Sequence, residues 1–493
     1  MNPVILVIDT GSSSMRGIVY SPQGLPLVSA RRSYAMDLGS DGSAVMEAAV
    51  FNRCLREVVR EAVQKTDRLG LAVGALALDS QRSSVLAVDR DMQPLYPILM
   101  WYDKRCVPLC QEVEDRCGAE LYRQCGMRLT PVSSAPKMTY LRRAQLEIYR
   151  RAYKLIGIHD YLLYLCTGRL VTDVGCACRT ALMDIRTFRW SPALLDCFGL
   201  DGEKLPEDIL PSGSVVGRAA ASFCQDTGLP TGIPVISAGG DQQCCVLGLE
   251  APAGALRLNS GSASYMALPV TQLRLDPKRE VNLSAYCAPE PWVLEASNTG
   301  SGTVYNWFTR SFYGGSLEAI NREVAAAPPG CDGLICLADF AGRGCPATNP
   351  AARGMFLGAG LQHTRGSFAR AVLEGICFGI CEALDQIRAL GAETGEIYSA
   401  GGLANFPVFN QILADISGLP VLAGGSGEAT ARGALLLARR ALSLEPLPPA
   451  SDRGEICLPN PEHSKIYREI VGTRKKIYQN LHDSAIFFQR NSL

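Results

Sequence analysis

The 493-residue chain lacks several features that would point to particular partners. It carries no net charge, because 48 Lys and Arg residues balance 48 Asp and Glu residues. Proteins that hold nucleic acid through its phosphates need an excess of basic residues, so we expect no nucleic-acid partner. No stretch approaches the roughly 18 uninterrupted apolar residues of a membrane span. We therefore expect no membrane partner either.

We also expect no export signal in the first residues. The segment MNPVILVIDT has no Lys or Arg, and Asp9 ends its apolar run, which is typical of a first strand. The 19 cysteines are an odd number in a long chain, so we interpret them as reduced thiols in the cytoplasm. No Cys-x-x-Cys occurs and the four histidines are scattered, which argues against a structural zinc site.

The length and the order of predicted elements indicate several domains. A chain of 493 residues exceeds one ordinary core, so two or three domains are expected. Strands and helices alternate, with the strands grouped at three places, which predicts an α/β fold with mixed sheets. We predict one domain over residues 1–250, a second over 251–440, and a linker with a terminal helix over 441–493.

Two hairpins of similar sequence stand out. DTGSSSMRGIVY begins at Asp9 and NSGSASYMALPV begins at Asn259, and each has a turn of small residues between two predicted strands. An internal duplication would explain the similarity, but any hairpin with a Gly/Ser turn would look alike. Farther along, apolar residues at helical spacing predict a buried helix over residues 368–390.

The first turn contains Asp9, Thr10, Gly11, Ser12 and Ser13. Such a sequence occurs both in the catalytic turn of aspartic proteases and in phosphate-binding hairpins. An aspartic protease needs a second Asp-Thr/Ser-Gly, because two carboxylates share its catalytic proton. A second Asp-Thr-Gly does occur, at residues 226–228, but only eight residues precede Asp9, whereas pepsin-like chains carry a layer of strands before their first aspartate. A small-residue turn can instead expose backbone N–H groups to phosphate, and its aspartate can hold Mg²⁺ through water. The phosphate interpretation is favoured.

Three further blocks make the sequence resemble the FGGY family of carbohydrate kinases, from Ile5 to about Ala438. They are AGGDQQ (238–243), RGMFLGAGLQHTRGSFARAVLEGI (353–376) and YSAGGLANFPVFNQILADISGLPV (398–421). The resemblance implies two actin-like (ribonuclease H-like) domains with mixed sheets flanked by helices and an ATP cleft between them. It also implies ATP and Mg²⁺ as cofactors and an alcohol group of a small sugar or polyol as the acceptor.

The resemblance assigns roles to individual residues. Asp241 matches the catalytic aspartate that accepts the proton of the acceptor, and Asp9 and Asp241 are expected to hold Mg²⁺ through water. The residues expected to bind ATP and its phosphates are Thr10, Gly11, Ser12, Ser13, Gly261, Ser262, Gly302, Asn306, Gly401, Gly402 and Asn405.

The acceptor side resembles two branches of the family. The residues expected to contact the acceptor are Gln81, Arg82, Trp101, Asp103, Asp241 and Gln242. Ser83 follows Gln81-Arg82 where glycerol kinases have Glu, whereas Trp101-Tyr102-Asp103-Lys104-Arg105 looks like xylulose and gluconate kinases. We therefore expect a four- to six-carbon ketose or polyol such as xylulose, with glycerol as the alternative.

Several alternatives stay open at this point. Trp101 could be a core residue and Arg82 could be a structural ion-pair partner. A non-catalytic actin-like nucleotide switch would keep both hairpins, although it would lack Asp241 and a polar acceptor pocket. A homodimer is possible.

Overall fold

A computed structural model describes residues 4–287, 290–424, 428–448 and 453–481. Within these ranges, no helix combines the length and the apolar character that crossing a membrane requires. Part of the predicted terminal segment over 441–493 lies outside the described residues.

The first large sheet has six strands, all from the N-terminal half of the chain. They are β1 (Val4–Thr10), β2 (Ser14–Tyr20), β3 (Pro26–Ser33), β4 (Val73–Ser80), β5 (Ser214–Arg218) and β6 (Pro234–Gly240). The order across the sheet is β5-β6-β4-β1-β2-β3. Strands β6, β4 and β1 run parallel, and the remaining pairs are antiparallel.

The second large sheet has seven strands. They are β7 (Leu256–Ser260), β8 (Ser264–Val270), β9 (Asn282–Ala285), β10 (Trp292–Asn298), β11 (Ile397–Ala400), β12 (Val421–Gly424) and β13 (Arg453–Cys457). Their order is β9-β10-β8-β7-β11-β12-β13. Here β12, β11 and β7 are parallel, while β13 and the meander of β7, β8, β10 and β9 pair antiparallel.

The two sheets therefore share one topology. Each has three parallel strands in the middle, an antiparallel meander on one side and an antiparallel edge strand on the other. Strand β9 is the one addition in the second sheet. The β1–β2 hairpin and the β7–β8 hairpin, whose sequences are alike, occupy equivalent positions. This correspondence supports a duplication over the chance similarity of two Gly/Ser turns.

Helices cover both sheets. They are α1 (Ala48–Asp67), α2 (Val107–Cys125), α3 (Ser134–Ala144), α4 (Leu146–Arg151), α5 (Ile158–Thr167), α6 (Val174–Ala177), α7 (Pro192–Phe198), α8 (Ala221–Thr227), α9 (Asp241–Gly248), α10 (Gly302–Tyr313), α11 (Leu317–Ala326), α12 (Arg365–Ala389), α13 (Pro407–Ser417), α14 (Ala429–Ala441) and α15 (Pro461–Leu481). The helix predicted over 368–390 is α12, whose apolar side chains enter the core of the second sheet.

The small sheets outside these two layers are short. A three-stranded one joins Asp37–Leu38, Ala44–Met46 and Ile98–Leu99. Two-stranded pairs join Leu86–Val88 to Lys154–Ile156, Thr172–Asp173 to Ile209–Leu210, Met183–Asp184 to Arg189–Trp190, and Ile335–Leu337 to Met355–Leu357.

Strand β1 is covered on both faces, as its continuous apolar sequence requires. All seven of its residues are buried. Because side chains alternate along a strand, Leu6 and Ile8 enter the core beneath α1, while Ile5 and Val7 enter a second core that contains α14. Packing on both faces therefore fixes the position of β1, and with it the start of the turn that follows Thr10.

Helices α9 and α14 cross in close contact where the two halves of the chain meet. A Cβ atom at Gly433 would lie 1.9 Å from the carbonyl oxygen of Cys244, and one at Gly248 would lie 1.8 Å from that of Ala429. Helix α14 also packs on β1, β4 and β6. A helix from the C-terminal half of the sequence therefore completes the core of the first sheet.

The segment after residue 441 differs from the predicted linker. Residues Arg453–Cys457 form β13, which pairs antiparallel with β12 at the edge of the second sheet. The predicted terminal helix is α15, and it is anchored by buried Tyr467 and Arg474.

Candidate active site

The first hairpin turn, residues 9–14, joins β1 to β2. The Gly11 N–H donates to the Ser14 carbonyl at 3.0 Å, which closes the turn. The Tyr34 hydroxyl donates to the Gly11 carbonyl at 2.7 Å, and the Tyr34 N–H donates to the Ser13 carbonyl. Both carbonyls are thus held from the side of β3, and the turn has a fixed shape.

Three carboxylates lie around this turn. Asp9 accepts from Arg16, with 2.5 Å between Oδ2 and Nη2, and Arg16 also contacts Glu428 at 3.1 Å, just before α14. Asp79 is directly opposite Asp9 in the parallel β1–β4 pairing. It is fully buried, and its carboxyl group shares a hydrogen bond with that of Asp9. Asp241 is the third carboxylate.

The loop after β4 attaches the predicted acceptor residues to this turn. The Gln81 N–H donates to the Thr10 carbonyl at 2.7 Å, and its side-chain amide donates to the Gly11 carbonyl at 3.2 Å. The Trp101 indole N–H donates to the Ser12 hydroxyl at 2.9 Å, and its ring stacks on Tyr102. Trp101 is therefore a bridge between the two predicted subsites, rather than the core residue that was the alternative.

Asp103 lies away from the cavity described below. Its buried carboxylate accepts from the Ala44 N–H at 3.0 Å and pairs with Arg105 at 2.7 Å. These contacts fix the Trp101–Arg105 segment against the β-strand at Ala44–Met46. Asp103 does not line the cavity, and its contact with the acceptor stays a prediction.

Close packing explains the two glycines of the Gly-Gly-Asp sequence at residues 239–241. Gly239 has φ +83°, and a Cβ there would lie 2.5 Å from Asp173. A Cβ on Gly240 would lie 2.3 Å from the Arg82 side chain. The two glycines let β6 end close to Arg82, and Asp241 then begins α9. The Asp241 carboxylate accepts from the Gln242 N–H at 2.7 Å and lies 3.8 Å from the Arg82 guanidinium.

The second hairpin turn, residues 260–264, lies beside the start of α10, which carries further residues predicted to bind ATP. The N–H groups of Gly302 and Thr303, at the start of α10, donate to the carbonyls of Gly261 and Ser262 at 3.0 Å each. A Cβ on Gly302 would lie 2.4 Å from the Gly261 carbonyl oxygen. Glycine is required here because two backbones approach directly.

The glycine pair Gly401-Gly402 lies against the second hairpin turn. Asn259 pairs with Ala400 across β7 and β11, so Gly401 follows beside Ser260. Gly401 has φ +90°, and a Cβ there would lie 2.7 Å from the Ser260 carbonyl. Gly402 has open space around it. Asn306 and Asn405 are exposed on α10 and on the 3₁₀ turn that starts at Gly402.

A cavity of about 320 Å³ lies between the two halves of the chain. From the N-terminal half it is lined by Ser12, Gln81, Arg82, Ser83, Trp101, Val132, Arg179, Asp241 and Gln242. From the C-terminal half it is lined by Tyr265, Asn282, Glu295, Ala296 and Ser297. Five of the six predicted acceptor residues therefore meet in one space, together with Ser12 of the first hairpin turn.

Burial and neighbouring charge shift the titration of these groups. Burial raises the pKa of Asp241 above its ordinary value, the Arg82 guanidinium acts to lower it, and Asp9 acts to raise it. Burial and the charges of Asp9 and Asp241 raise the pKa of Asp79 well above its ordinary value. Glu295 differs, because Arg82 and Arg179 lower its pKa despite burial, so it stays ionised.

The ionisable residues of this site that sequence reasoning missed are Asp79, Arg179, Tyr265 and Glu295. Asp79 precedes Gln81 by two residues, and the alignment of β1 with β4 could have indicated that it faces Asp9. Arg179 and Glu295 are distant from every motif and carried no such signal.

The donors around the first hairpin turn fit a magnesium ion that keeps its water. Asp9 and Asp241 offer hard oxygen ligands, whereas Asp79, opposite Asp9, has a pKa raised well above its ordinary value by burial and by these two charges. Within the described residues, no three His, Cys, Asp or Glu side chains are close enough to ligate one ion directly. An ion here would therefore be bound largely through water.

Comparison with known proteins agrees with this geometry. Residues 4–248 match the N-terminal domain, and residues 262–442 the C-terminal domain, of the FGGY family of carbohydrate kinases. The chain is 25% identical to a xylulose kinase of Lactococcus lactis subsp. lactis, over 97% of this chain and 96% of that protein. It is 30% identical to a glycerol kinase of Thermus brockianus, over 90% of this chain and 92% of that protein.

The fold is shared as well. A xylulose kinase from Lactobacillus acidophilus superimposes with a TM-score of 0.92 at 24% identity, covering 98% of this chain and 99% of that one. This agreement confirms the predicted pair of actin-like domains. Because the two family domains together account for most of the sequence, the chain belongs to the FGGY family of carbohydrate kinases, phosphotransferases that act on an alcohol group with ATP as donor.

Proposed function

We propose that the enzyme transfers the γ-phosphate of ATP to a hydroxyl of an uncharged four- to six-carbon ketose or polyol, with xylulose as the first choice. The observation that carries the proposal is the cavity between the halves, where Asp241, Arg82 and Gln242 meet Ser12 of the first hairpin turn. A phosphoryl acceptor and the phosphates of a nucleotide have to meet at such a junction.

The charges of the cavity support an uncharged acceptor. Arg82 and Arg179 are balanced by Glu295 and Asp241, at distances of 3.6–3.8 Å. An acceptor with a carboxylate would add an unbalanced negative charge to this buried group, which is costly. A ketose or polyol would instead present only hydroxyl and carbonyl oxygens.

The size of the cavity and the identity of Ser83 support an acceptor larger than glycerol. A volume of 320 Å³ corresponds to about ten water molecules. Ser83 lines the cavity with a short side chain where a glutamate would fill space and accept hydrogen bonds. The name xylulose kinase of several relatives agrees with this choice, and the name glycerol kinase of others keeps glycerol as the alternative.

The nucleotide would lie between the two hairpin turns. We assign its phosphates to Thr10, Gly11, Ser12 and Ser13 of the first turn and to Gly261 and Ser262 of the second. Its adenosine would contact the surface formed by Gly302, Asn306, Gly401, Gly402 and Asn405. Fixed backbone N–H groups in such turns are well suited to oxygen anions.

Asp9 and Asp241 would hold Mg²⁺ through water, and the bound ion would neutralise charge on the transferred phosphate. The chain itself positions the reactants, which is most of the catalysis when phosphoryl transfer passes through a loose transition state. Asp241 accepts the proton of the acceptor hydroxyl, and its raised pKa makes it a stronger base than an ordinary carboxylate. Arg82 and Gln242 orient the acceptor beside it.

A coupled assay of ADP release tests the proposal, with glycerol, tetritols, pentuloses, hexuloses and aldonic acids as acceptors. We expect the highest kcat/KM with an uncharged four- to six-carbon compound. If glycerol is best, the inference from Ser83 fails while the kinase activity stands. If an aldonic acid is best, the charge argument fails. ADP release that needs no sugar would point to a nucleotide switch.

Compartment and assembly are part of the proposal. All 19 cysteines are free thiols, which supports the reducing environment of the cytoplasm. The homodimer stays a prediction that sedimentation analysis at several protein concentrations can check.

A further inference from the structure

Glu295 is the most enclosed charged side chain of the cavity, and sequence motifs gave it no role. It lies on β10, in the C-terminal half, and is 2% exposed. Tyr265 donates a short hydrogen bond to one carboxylate oxygen, and Ser284 donates to the other at 2.7 Å. With both oxygens engaged, the carboxylate has a single fixed orientation.

Two arginines of the N-terminal half form ion pairs with this carboxylate without donating hydrogen bonds to it. Arg82 Nη1 lies 3.7 Å from Oε1, and Arg179 Nη1 lies 3.6 Å from Oε2. These distances exceed the 2.7–3.2 Å of an N–H···O hydrogen bond. Glu295 therefore attracts both guanidinium groups across the cleft but does not consume their donors.

Arg82 therefore keeps a hydrogen-bond donor without an acceptor. Its Nη1 is buried and has no hydrogen-bond partner in the described part of the chain. An unpaired buried donor is costly unless a ligand supplies an acceptor atom. An oxygen of a bound sugar is such an atom, because Arg82 lines the cavity beside Asp241.

We infer that Glu295 is a positioning residue, which holds Arg82 extended across the cleft so that the unpaired Nη1 can donate to the acceptor. The inference rests on the proposed function, in which Arg82 contacts the acceptor. Without the charge of Glu295, the nearest carboxylate to Arg82 is Asp241, 3.8 Å away. Arg82 would then move towards Asp241 and away from the acceptor.

The test compares Glu295→Gln with Glu295→Asp and with a matched control. Loss of a charged partner of a bound group typically weakens binding by about ten- to a hundredfold. We expect Glu295→Gln to raise the KM of the acceptor by about that factor, while the KM of ATP changes less than about twofold. Glu295→Asp keeps the charge and should recover part of the affinity, which a purely structural role would not predict.

Glu114→Gln is the control. Glu114 also pairs with an arginine of the other half, Arg279, at 2.6 Å, but it does not line the cavity. It should leave the KM of the acceptor unchanged. An unchanged acceptor KM in Glu295→Gln, or an equal rise in Glu114→Gln, would overturn the inference.

A second variant covers the case in which Glu295→Gln does not fold. Ser284→Ala removes one of the two hydrogen bonds that orient Glu295, and Ser284 does not line the cavity. We expect a rise in acceptor KM of about two- to tenfold, and no rise would overturn the inference. If the wild-type protein phosphorylates none of the acceptors, the proposed function fails. A crystal structure of Ser284→Ala then decides the inference separately, because an Arg82 side chain in its original place would overturn it.

Discussion

At the scale of single residues, Asp241 is the side chain on which the chemistry depends. A positioned general base typically contributes about 10²–10⁴-fold to the rate. Asp241→Asn keeps the size and one acceptor oxygen but removes the negative charge. We expect kcat to fall by at least about a hundredfold, with the affinity for ATP little changed, as measured by steady-state assay and calorimetry. Near-normal turnover would show that Asp241 is not the base.

Asp9→Asn should behave differently from Asp241→Asn. Asp9 is not expected to move a proton, so its loss weakens the water-mediated magnesium shell instead. We expect activity that recovers as the magnesium concentration is raised, whereas Asp241→Asn should show no recovery. If both variants respond to magnesium alike, the division of roles between the two carboxylates is wrong.

A buried carboxyl near the loop that follows β4 gives a test by pH. Burial raises the pKa of Asp160 to about 7, although the Gly157 N–H donates to it. The folded protein therefore holds a proton that the unfolded chain releases near pH 4. Between those values, the free energy of unfolding falls as the pH rises, by up to about 1.4 kcal/mol per unit.

Asp160→Asn should reduce that slope, as measured by chemical denaturation from pH 5 to pH 8. Asp173, whose pKa is raised to about 6 by burial, remains and keeps part of the slope. Glu147→Gln is the control, because its side chain is 77% exposed. An unchanged slope in Asp160→Asn would mean that Asp160 is ionised in the folded protein.

How much of the site the sequence predicts depends on how local each feature is. Asp241 and Gln242 belong to one short motif whose glycines are needed where they stand, so the motif alone indicates their role. Tyr265 and Glu295 meet only because β8 pairs with β10 in one register. Arg179 joins them from the other half of the chain. No pattern of spacing could have brought these three together.

At the scale of elements, the crossing of α9 and α14 is the contact that fixes Asp241. Gly433→Ala would place a methyl group 1.9 Å from the Cys244 carbonyl oxygen. Backbone atoms cannot rotate away, so the helices must separate. Overpacking of this kind costs about 1–3 kcal/mol, more than the gain of about 1 kcal/mol in helix propensity. We expect a lower free energy of unfolding and a lower kcat, since α9 begins with Asp241.

Gly472→Ala is the matched control for Gly433→Ala. Gly472 lies in α15, and nothing is within 4 Å of the position that its Cβ would take. The same substitution should therefore stabilise the protein by up to about 1 kcal/mol and leave kcat unchanged. Equal effects of the two substitutions on stability would contradict a close crossing of α9 and α14.

Some elements could be predicted from the sequence pattern and others could not. Strand β1 and helix α12 are buried, and they were predicted directly from the continuous apolar run of β1 and from the helical spacing of the apolar residues in α12. Strand β13 is an edge strand whose sequence, RGEIC, has no apolar alternation. Prolines precede it, and it became visible only through its pairing with β12. Tertiary context, rather than local preference, determines this strand.

At the scale of the whole molecule, the two halves share one core. Ile5, Val7 and Ile236 of the first sheet pack with Leu435 and Leu437 of α14. A boundary near residue 250 divides the sequence into two family domains, but it separates the first sheet from the helix that covers it. The sheet would then expose one apolar face, which promotes association.

We therefore expect a fragment of residues 1–250 to aggregate, or to bind a dye for exposed apolar surface, when it is produced alone. The same fragment joined by a flexible linker to residues 428–448 should be more soluble, because α14 can cover the face that Ile5 and Val7 line. Light scattering and dye fluorescence compare the two. A monomeric fragment 1–250 without dye binding would show that α14 is dispensable for the first sheet. If α14 is required, opening of the cleft cannot be a free swing of two independent domains, since α9 and α14 must stay in contact while the walls around Asp241 and Glu295 move.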